Sequence, residues 1–279
     1  MSGRSIAIGT FDGVHRGHRR VIEAAKAAGL PTTVVTFDPH PRIALGNQVE
    51  LLTTLARRLE LLAELGVDVH VVPFTSDLAL QTPEEFAESV LRPLGTTVVA
   101  AGENFRFGRG RGGDLDTLAD LEFDVRRVPL VEGVSSSRIR QLLAAGEIEG
   151  AAQLLGRPPE VEGTVVAGDA RGGTLGYPTA NLAVPAELLV PAYGIYAGSV
   201  GDHRAAISIG VNPHYGGRER RVEAFLLDFE GDLYGQRLVV ELWRRLRGEQ
   251  AFSSEQELIE QIGRDVDEAR TAERPSELP

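Results

Sequence analysis

The decapeptide Gly9-Thr10-Phe11-Asp12-Gly13-Val14-His15-Arg16-Gly17-His18 gathers side chains suited to handling a polyphosphate. An apolar run, Ile6-Ala7-Ile8, precedes it, and an amphipathic stretch from Arg19 to Ala28 follows. The pattern reads as a strand, a glycine-rich turn and a helix, with His15 and His18 at the helix start. Free backbone N–H groups and the positive end of the helix dipole collect there and attract anions. Two imidazoles three residues apart can both point at one phosphate. A second candidate lies downstream, where Gly168, Gly172, Gly173 and Gly176 precede Tyr177-Pro178-Thr179-Ala180-Asn181. A backbone so rich in glycine can wrap a polyphosphate closely.

Two kinds of element must position these groups. In the first part, short β-branched runs at Thr32–Phe37, Val67–Val72, Thr96–Ala101 and Phe123–Val128 follow the opening strand. Helical patterns lie between them at roughly 16–28, 53–65, 83–92, 114–121 and 136–145, several with Ser, Thr or Asp in cap position. Strands spaced by helices predict a parallel, doubly wound sheet that binds ligands at its carboxyl edge. His15 and His18 fall at that edge, whereas His70 sits inside a strand pattern and reads as structural. After a helical pattern at Ile148–Leu155, the segment Gly156-Arg157-Pro158-Pro159 marks a boundary, giving domains 1–157 and 158–279. Beyond it, Glu160–Val166, Ile195–Val200, Ala205–Ile209, Val222–Asp228 and Gln236–Leu242 read as strands joined by Gly, Pro and Asp turns. Strands without intervening helices predict an antiparallel barrel. One last helix spans Ser253 to Arg270, capped by Ser253 or Ser254.

Composition narrows the chemistry. Hydrophobic residues make up 42% of the 279 and charged ones 25%, the profile of a soluble globular protein. No apolar run reaches the roughly 20 residues of a membrane span, and no secretory segment opens the chain. Cysteine is absent, which excludes disulfides, thiolate catalysis and zinc–thiolate sites; a cytoplasmic location is the expectation. The net charge is −11, with 17 basic against 20 acidic residues up to Arg157 and 12 against 20 after it. Neither part has the basic excess of a nucleic-acid binder. The only lysine, Lys26, lies outside any Gly-x-x-x-x-Gly-Lys loop, so phosphate chemistry must use Arg, His, backbone amides and metal.

The decapeptide resembles the nucleotidyltransferase signature of the bacterial bifunctional riboflavin kinase/FAD synthetases. The likeness continues in Thr36-Phe37-Asp38-Pro39-His40-Pro41, in Gly102-Glu103-Asn104-Phe105-Arg106-Phe107-Gly108, and in Val134-Ser135-Ser136-Ser137-Arg138-Ile139-Arg140. By that resemblance the first domain is a Rossmann-like FMN adenylyltransferase, in which an FMN phosphate oxygen attacks the α-phosphorus of ATP and pyrophosphate leaves. Gly9, Phe11, His15, Gly17, His18, Ser136, Ser137 and Arg140 would bind ATP, with His15 and His18 catalytic. Phe37, His40, Asn104 and Arg106 would bind the flavin. His40, between two prolines, equally suits a turn, and Arg109 and Arg111 equally suit a solvated loop. Gly133 stands where members often carry a basic residue.

The second glycine-rich segment looks like the flap and Pro-Thr-Ala-Asn motif of riboflavin kinase, and Arg221 to Asp228 matches the strand bearing that family's glutamate. The resemblance implies a six-stranded antiparallel β-barrel with a terminal helix. Gly168, Gly172, Gly176, Thr179 and Asn181 would bind ATP, and Thr179 and Asn181 would hold Mg2+. Glu223 would be the general base toward the ribityl hydroxyl, and Arg247 and Arg270 would serve the flavin. Gly173 replaces a common arginine, and His214 stands where Asn-Pro-Thr is common. The implied partners are riboflavin, FMN and ATP, with FMN and FAD as products, no nucleic acid and no membrane, in a monomer or weak homo-oligomer. Two rivals stand beside this reading: an enzyme retaining one activity, and a flavin-binding protein that has lost catalysis.

Overall fold

A computed structural model describes residues 3–168, 176–211 and 220–276. Its contacts divide the chain into two units, Met1–Ser136 and Ser137–Pro279.

The first unit is built on five parallel strands: β1 (Arg4–Ile8), β2 (Thr32–Asp38), β3 (Asp68–Pro73), β4 (Thr96–Gly102) and β5 (Asp124–Val128). Their order is β3-β2-β1-β4-β5. The chain therefore reverses its winding between β1 and β4, the place where open α/β sheets hold ligands. Alternate residues of each central strand enter opposite cores. Ile6, Ile8, Val35, Phe37, Val99 and Ala101 pack on one face, and Ala7, Val34 and Ala100 on the other. Helices α1 (Arg16–Lys26) and α3 (Leu55–Ala63) cover the second face through Val21, Ile22, Ala25, Leu61 and Leu62. Helices α5 (Pro83–Phe86) and α6 (Leu115–Asp120) cover the first through Phe86, Leu115 and Leu118.

Two short helices, α2 (Pro41–Ala44) and α4 (Ser76–Leu80), add to the expected set. The pattern at 83–92 does not run as one helix. It loosens into a π turn at Ala87–Leu91 and tightens into a 3-10 turn at Arg92–Leu94, because Pro93 cannot donate to the ladder.

In the second unit, α7 (Ser136–Ala145, with Ser136 itself in the first unit) and α8 (Ile148–Leu155) precede a closed barrel. Its strands are β6 (Glu160–Val166), β7 (Ala180–Ala183), β8 (Gly194–Val200), β9 (His203–Val211), β10 (Arg220–Leu226) and β11 (Arg237–Arg247). The order β10-β7-β6-β11-β8-β9 closes through antiparallel pairs and leaves no free edge. The sixth strand, β7, is the one that hydrophobic pattern alone did not mark. With four residues it is too short to show alternation. The terminal helix α9 (Glu255–Thr271) is capped by Ser254, whose side chain accepts from the Glu257 N–H. It packs Ala269 and the following Ala272 against Ala197 and Trp243.

Candidate functional site

At the carboxyl end of β1 the chain turns sharply, with Phe11, Gly13 and Val14 at φ +51°, +84° and +41°. The turn is tied down from two sides. Asp12, 1% exposed, accepts the N–H groups of Leu52 (2.9 Å) and Thr53 (3.2 Å), and the Thr53 hydroxyl accepts the Gly13 N–H at 3.2 Å. Ser136, the first residue of α7, donates its hydroxyl to the Asp12 carbonyl at 3.0 Å. The Gly9 N–H bonds back to Val35 on β2.

His15 caps α1, its Nδ1 accepting the His18 N–H at 3.3 Å. The two imidazoles stack 3.6 Å apart at 12°, with Phe11 tilted against His18 at 5.1 Å. A β-carbon at Gly17 would lie 3.1 Å from the His15 ring, so glycine lets the stack sit over the helix start. Burial, then the neighbouring His15, then Arg58 hold His18 well below the usual histidine range. Its Nδ1 is buried with no hydrogen-bond partner among the described residues. Imidazoles at a helix N-terminus offer N–H donors to an anion, and an arriving anion would offset the forces that keep His18 uncharged.

At the end of β2, His40 is 6% exposed and caps α2, its Nδ1 accepting the Arg42 N–H at 3.2 Å. Phe37 is 7% exposed and packs in the core against Phe74 and Phe86. Asn104 is exposed just beyond β4, and Arg106 reaches Asp114 at 3.9 Å. Arg109 and Arg111 are exposed on the loop that follows, and His70 is exposed on edge strand β3. Ser137 and Arg140 occupy the first turns of α7. Gly133 has φ +72°, a conformation that a basic side chain would strain.

Sequence reading missed Arg58. This arginine is 1% exposed; its Nη1 donates to the Thr10 carbonyl at 2.9 Å and its Nη2 to the Phe37 carbonyl at 3.3 Å, with Asp38 at 4.0 Å. Its signal was positional. It lies three and four residues before the buried Leu61 and Leu62, on the inward stripe of α3.

The barrel assembles a second cluster from neighbouring strands. On β10, Glu223 pairs directly with Asn181 on β7, which also pairs with Val166 on β6. Thr179 donates its hydroxyl to Glu223 Oε2 at 3.1 Å, and Arg221 lies 3.3 Å from Glu223 Oε1. Asn181 is 8% exposed. Its Nδ2 donates to the Thr179 carbonyl at 3.3 Å, and its Oδ1 is buried with no partner among the described residues. A β-carbon at Gly168 would fall 2.2 Å from Asn181 Nδ2, so only glycine fits beside that amide. Gly176 is exposed with φ +88°. Gly172, Gly173 and His214 lie outside the described residues.

Arg247 and Arg270 are both engaged with carboxylates. Arg247 grips the buried Asp265 through Nε–Oδ1 (2.9 Å) and Nη2–Oδ2 (2.7 Å), and Arg270 grips Asp228 at 2.6 and 3.0 Å. Trp243 is buried under α9, its Nε1 donating to Glu241. No helix among the described residues is long and apolar enough to cross a membrane.

Comparison with known proteins matches both parts. The FAD synthetase family model covers residues 1–140 and the riboflavin kinase model residues 155–272. The chain is 38% identical to the bifunctional riboflavin kinase/FMN adenylyltransferase of Listeria monocytogenes, over 95% of this chain and 91% of that protein. It is 36% identical to the Bacillus subtilis protein of the same name (95% and 90%) and 38% identical to the one from Escherichia coli (97% and 93%). A crystal structure described as a macrolide-efflux protein from Streptococcus pneumoniae superposes with a TM-score of 0.87 at 32% identity, covering 98% of this chain and 96% of that one.

Sheet, barrel and family models define a transferase that joins a nucleotidyltransferase-like α/β unit to a kinase barrel. The chain belongs to the bifunctional riboflavin kinase/FMN adenylyltransferase family. Its activities are phosphorylation of riboflavin to FMN and adenylylation of FMN to FAD, with ATP as co-substrate.

Proposed function

We propose that residues 1–157 carry out adenylyl transfer and residues 158–279 the kinase reaction, each with its own ATP site. In the first, the Gly9–His18 turn and the start of α1 cradle the triphosphate. His15 and His18 donate to the phosphates as an FMN phosphate oxygen forms a bond to the α-phosphorus and the bond to pyrophosphate breaks. Such catalysis rests on alignment and on fixed donors facing the developing charge. Asn104, Arg106 and His40 lie toward the flavin.

In the barrel, Glu223 takes the proton of the riboflavin 5′-hydroxyl as that oxygen attacks the γ-phosphorus and ADP leaves. Thr179 and Asn181 hold Mg2+, and the donor set fits that ion. Asn181 Oδ1 is a buried oxygen without a hydrogen bond among the described residues. The Thr179 hydroxyl spends its proton on Glu223 and keeps lone pairs for a metal. A hard cation with few protein ligands, the rest being water and phosphate, is the usual magnesium arrangement. When bound, Mg2+ neutralises phosphate charge.

The carrying observation is the convergence of Thr179, Asn181 and Glu223 on paired strands. The accompanying proposals are a cytoplasmic location, a monomer or weak homo-oligomer, and small molecules as the only partners. The test is to supply riboflavin or FMN with ATP and Mg2+ and resolve the flavins by chromatography. Asn181→Ala should lose FMN formation alone and His18→Ala FAD formation alone. Loss of the opposite step in either variant would overturn the assignment.

A further inference from the structure

Arg58 lies beneath the phosphate turn without belonging to it. A fully buried guanidinium is costly unless its hydrogen bonds and charge are answered. Here the two Nη groups are answered from the ends of two adjacent strands, while Nε is buried with no partner among the described residues. Thr10 carries one carbonyl, at the root of the turn bearing His15 and His18. Phe37 carries the other, just before the Asp38-Pro39-His40 segment. Thr10 lies beyond the end of β1, where the chain leaves the sheet, and among the described residues its carbonyl also accepts the Thr36 hydroxyl at 3.0 Å. Phe37 lies one residue before the end of β2. Asp38 Oδ1 stands 4.0 Å from Nη2, and Asp12 adds a second favourable charge. The net result is a positive charge fixed close to His18, whose ionisation it opposes.

We propose that Arg58 is a positioning residue for adenylyl transfer: its planar fork locks the turn carrying His15 and His18 to the strand end carrying His40. This rests on the assignment of the Gly9–His18 turn as the triphosphate site. The fork matters more than the charge. A lysine can place its ammonium near one carbonyl but cannot bridge two with fixed geometry. The consequence is specific to one of the two reactions, because the turn that Arg58 holds is assigned to adenylyl transfer alone.

The test compares Arg58→Lys and His18→Ala with the parent chain in both reactions. Arg58→Lys should lower kcat for FAD formation by roughly tenfold or more, since small displacements of reacting groups cost that much. It should leave KM for ATP nearly unchanged, because the charge remains, and should not alter FMN formation from riboflavin. An unchanged kcat for FAD formation in Arg58→Lys, beside a collapse in His18→Ala, would overturn the role of Arg58 alone. Unchanged rates in both would overturn the turn assignment itself. If Arg58→Lys lowers the melting temperature, kinetics measured well below its new melting point decide: a reduced kcat for FAD formation at unchanged KM, with FMN formation unaltered, supports the lock, and parent-like kinetics overturn it.

Discussion

Replacing Glu223 by Gln isolates the proton-transfer step of the kinase reaction. The change keeps size and leaves an amide oxygen that can still accept the Thr179 hydroxyl, 3.1 Å away in the parent. What disappears is the basic carboxylate and its pairing with Arg221 at 3.3 Å. That pair is partly solvated, with side chains 24% and 27% exposed, so its removal costs about 1 kcal/mol of stability or less. A positioned general base contributes about 10²- to 10⁴-fold to rate, which corresponds to roughly 3–5 kcal/mol of barrier. The two effects are therefore well separated: a folded protein with a near-parent melting temperature and a kinase step slowed by at least about a hundredfold. The assay follows riboflavin to FMN, and separately FMN to FAD, by chromatography with ATP and Mg2+. FAD formation from FMN should be unaffected. Undiminished FMN formation, or an equal fall in both reactions, would refute the role given to Glu223.

Gly168→Ala should impair the kinase step through Asn181, because the new β-carbon would stand 2.2 Å from the amide nitrogen and 2.6 Å from Oδ1. A raised Mg2+ requirement, read by titrating the metal, is the expected signature, with FAD formation from FMN unchanged. The lowered pKa of His18 makes the first unit pH-sensitive. Below about pH 6.5 the unfolded chain binds a proton that the folded chain resists, so stability falls as pH drops through that value. Thermal melts across this range should show the slope in the parent and a reduced one in His18→Asn. Asp265→Ala leaves Arg247 without the carboxylate it grips, only 4% exposed in the parent. It should destabilise the barrel by about 3 kcal/mol, read from the urea midpoint of kinase inactivation.

What could be read from the chain, and what could not, follows the range of the interactions. His15 and His18 are three residues apart on one helix start, so their juxtaposition is a matter of local geometry. The same holds for α7 and α8, whose observed limits, Ser136–Ala145 and Ile148–Leu155, are those the pattern predicts. Strand β7 eluded the pattern because its place depends on partners far away: Glu223 is 42 residues beyond Asn181, and nothing between them announces the pairing. The engagement of Arg270 by Asp228 and of Arg247 by Asp265 is of the same kind, since an arginine's type does not say which carboxylate it will meet.

Arg57 and Arg58 show how narrow the difference can be. Both are arginines on α3, yet one pairs at the surface with Glu60 and Glu64 while its neighbour is wholly enclosed. Helical geometry separates them by about 100°, and only Arg58 falls on the stripe with Leu61 and Leu62. A charged residue on an apolar stripe is costly to bury, and that cost is itself information: it persists where carbonyls left by a sharp turn need a donor. The positive φ values at Phe11, Gly13 and Val14 take the chain out of the sheet at β1, and the buried guanidinium answers the Thr10 carbonyl that this departure leaves. The turn that presents His15 and His18 and the arginine beneath it thus form one structural unit, of which only the upper half is local in sequence.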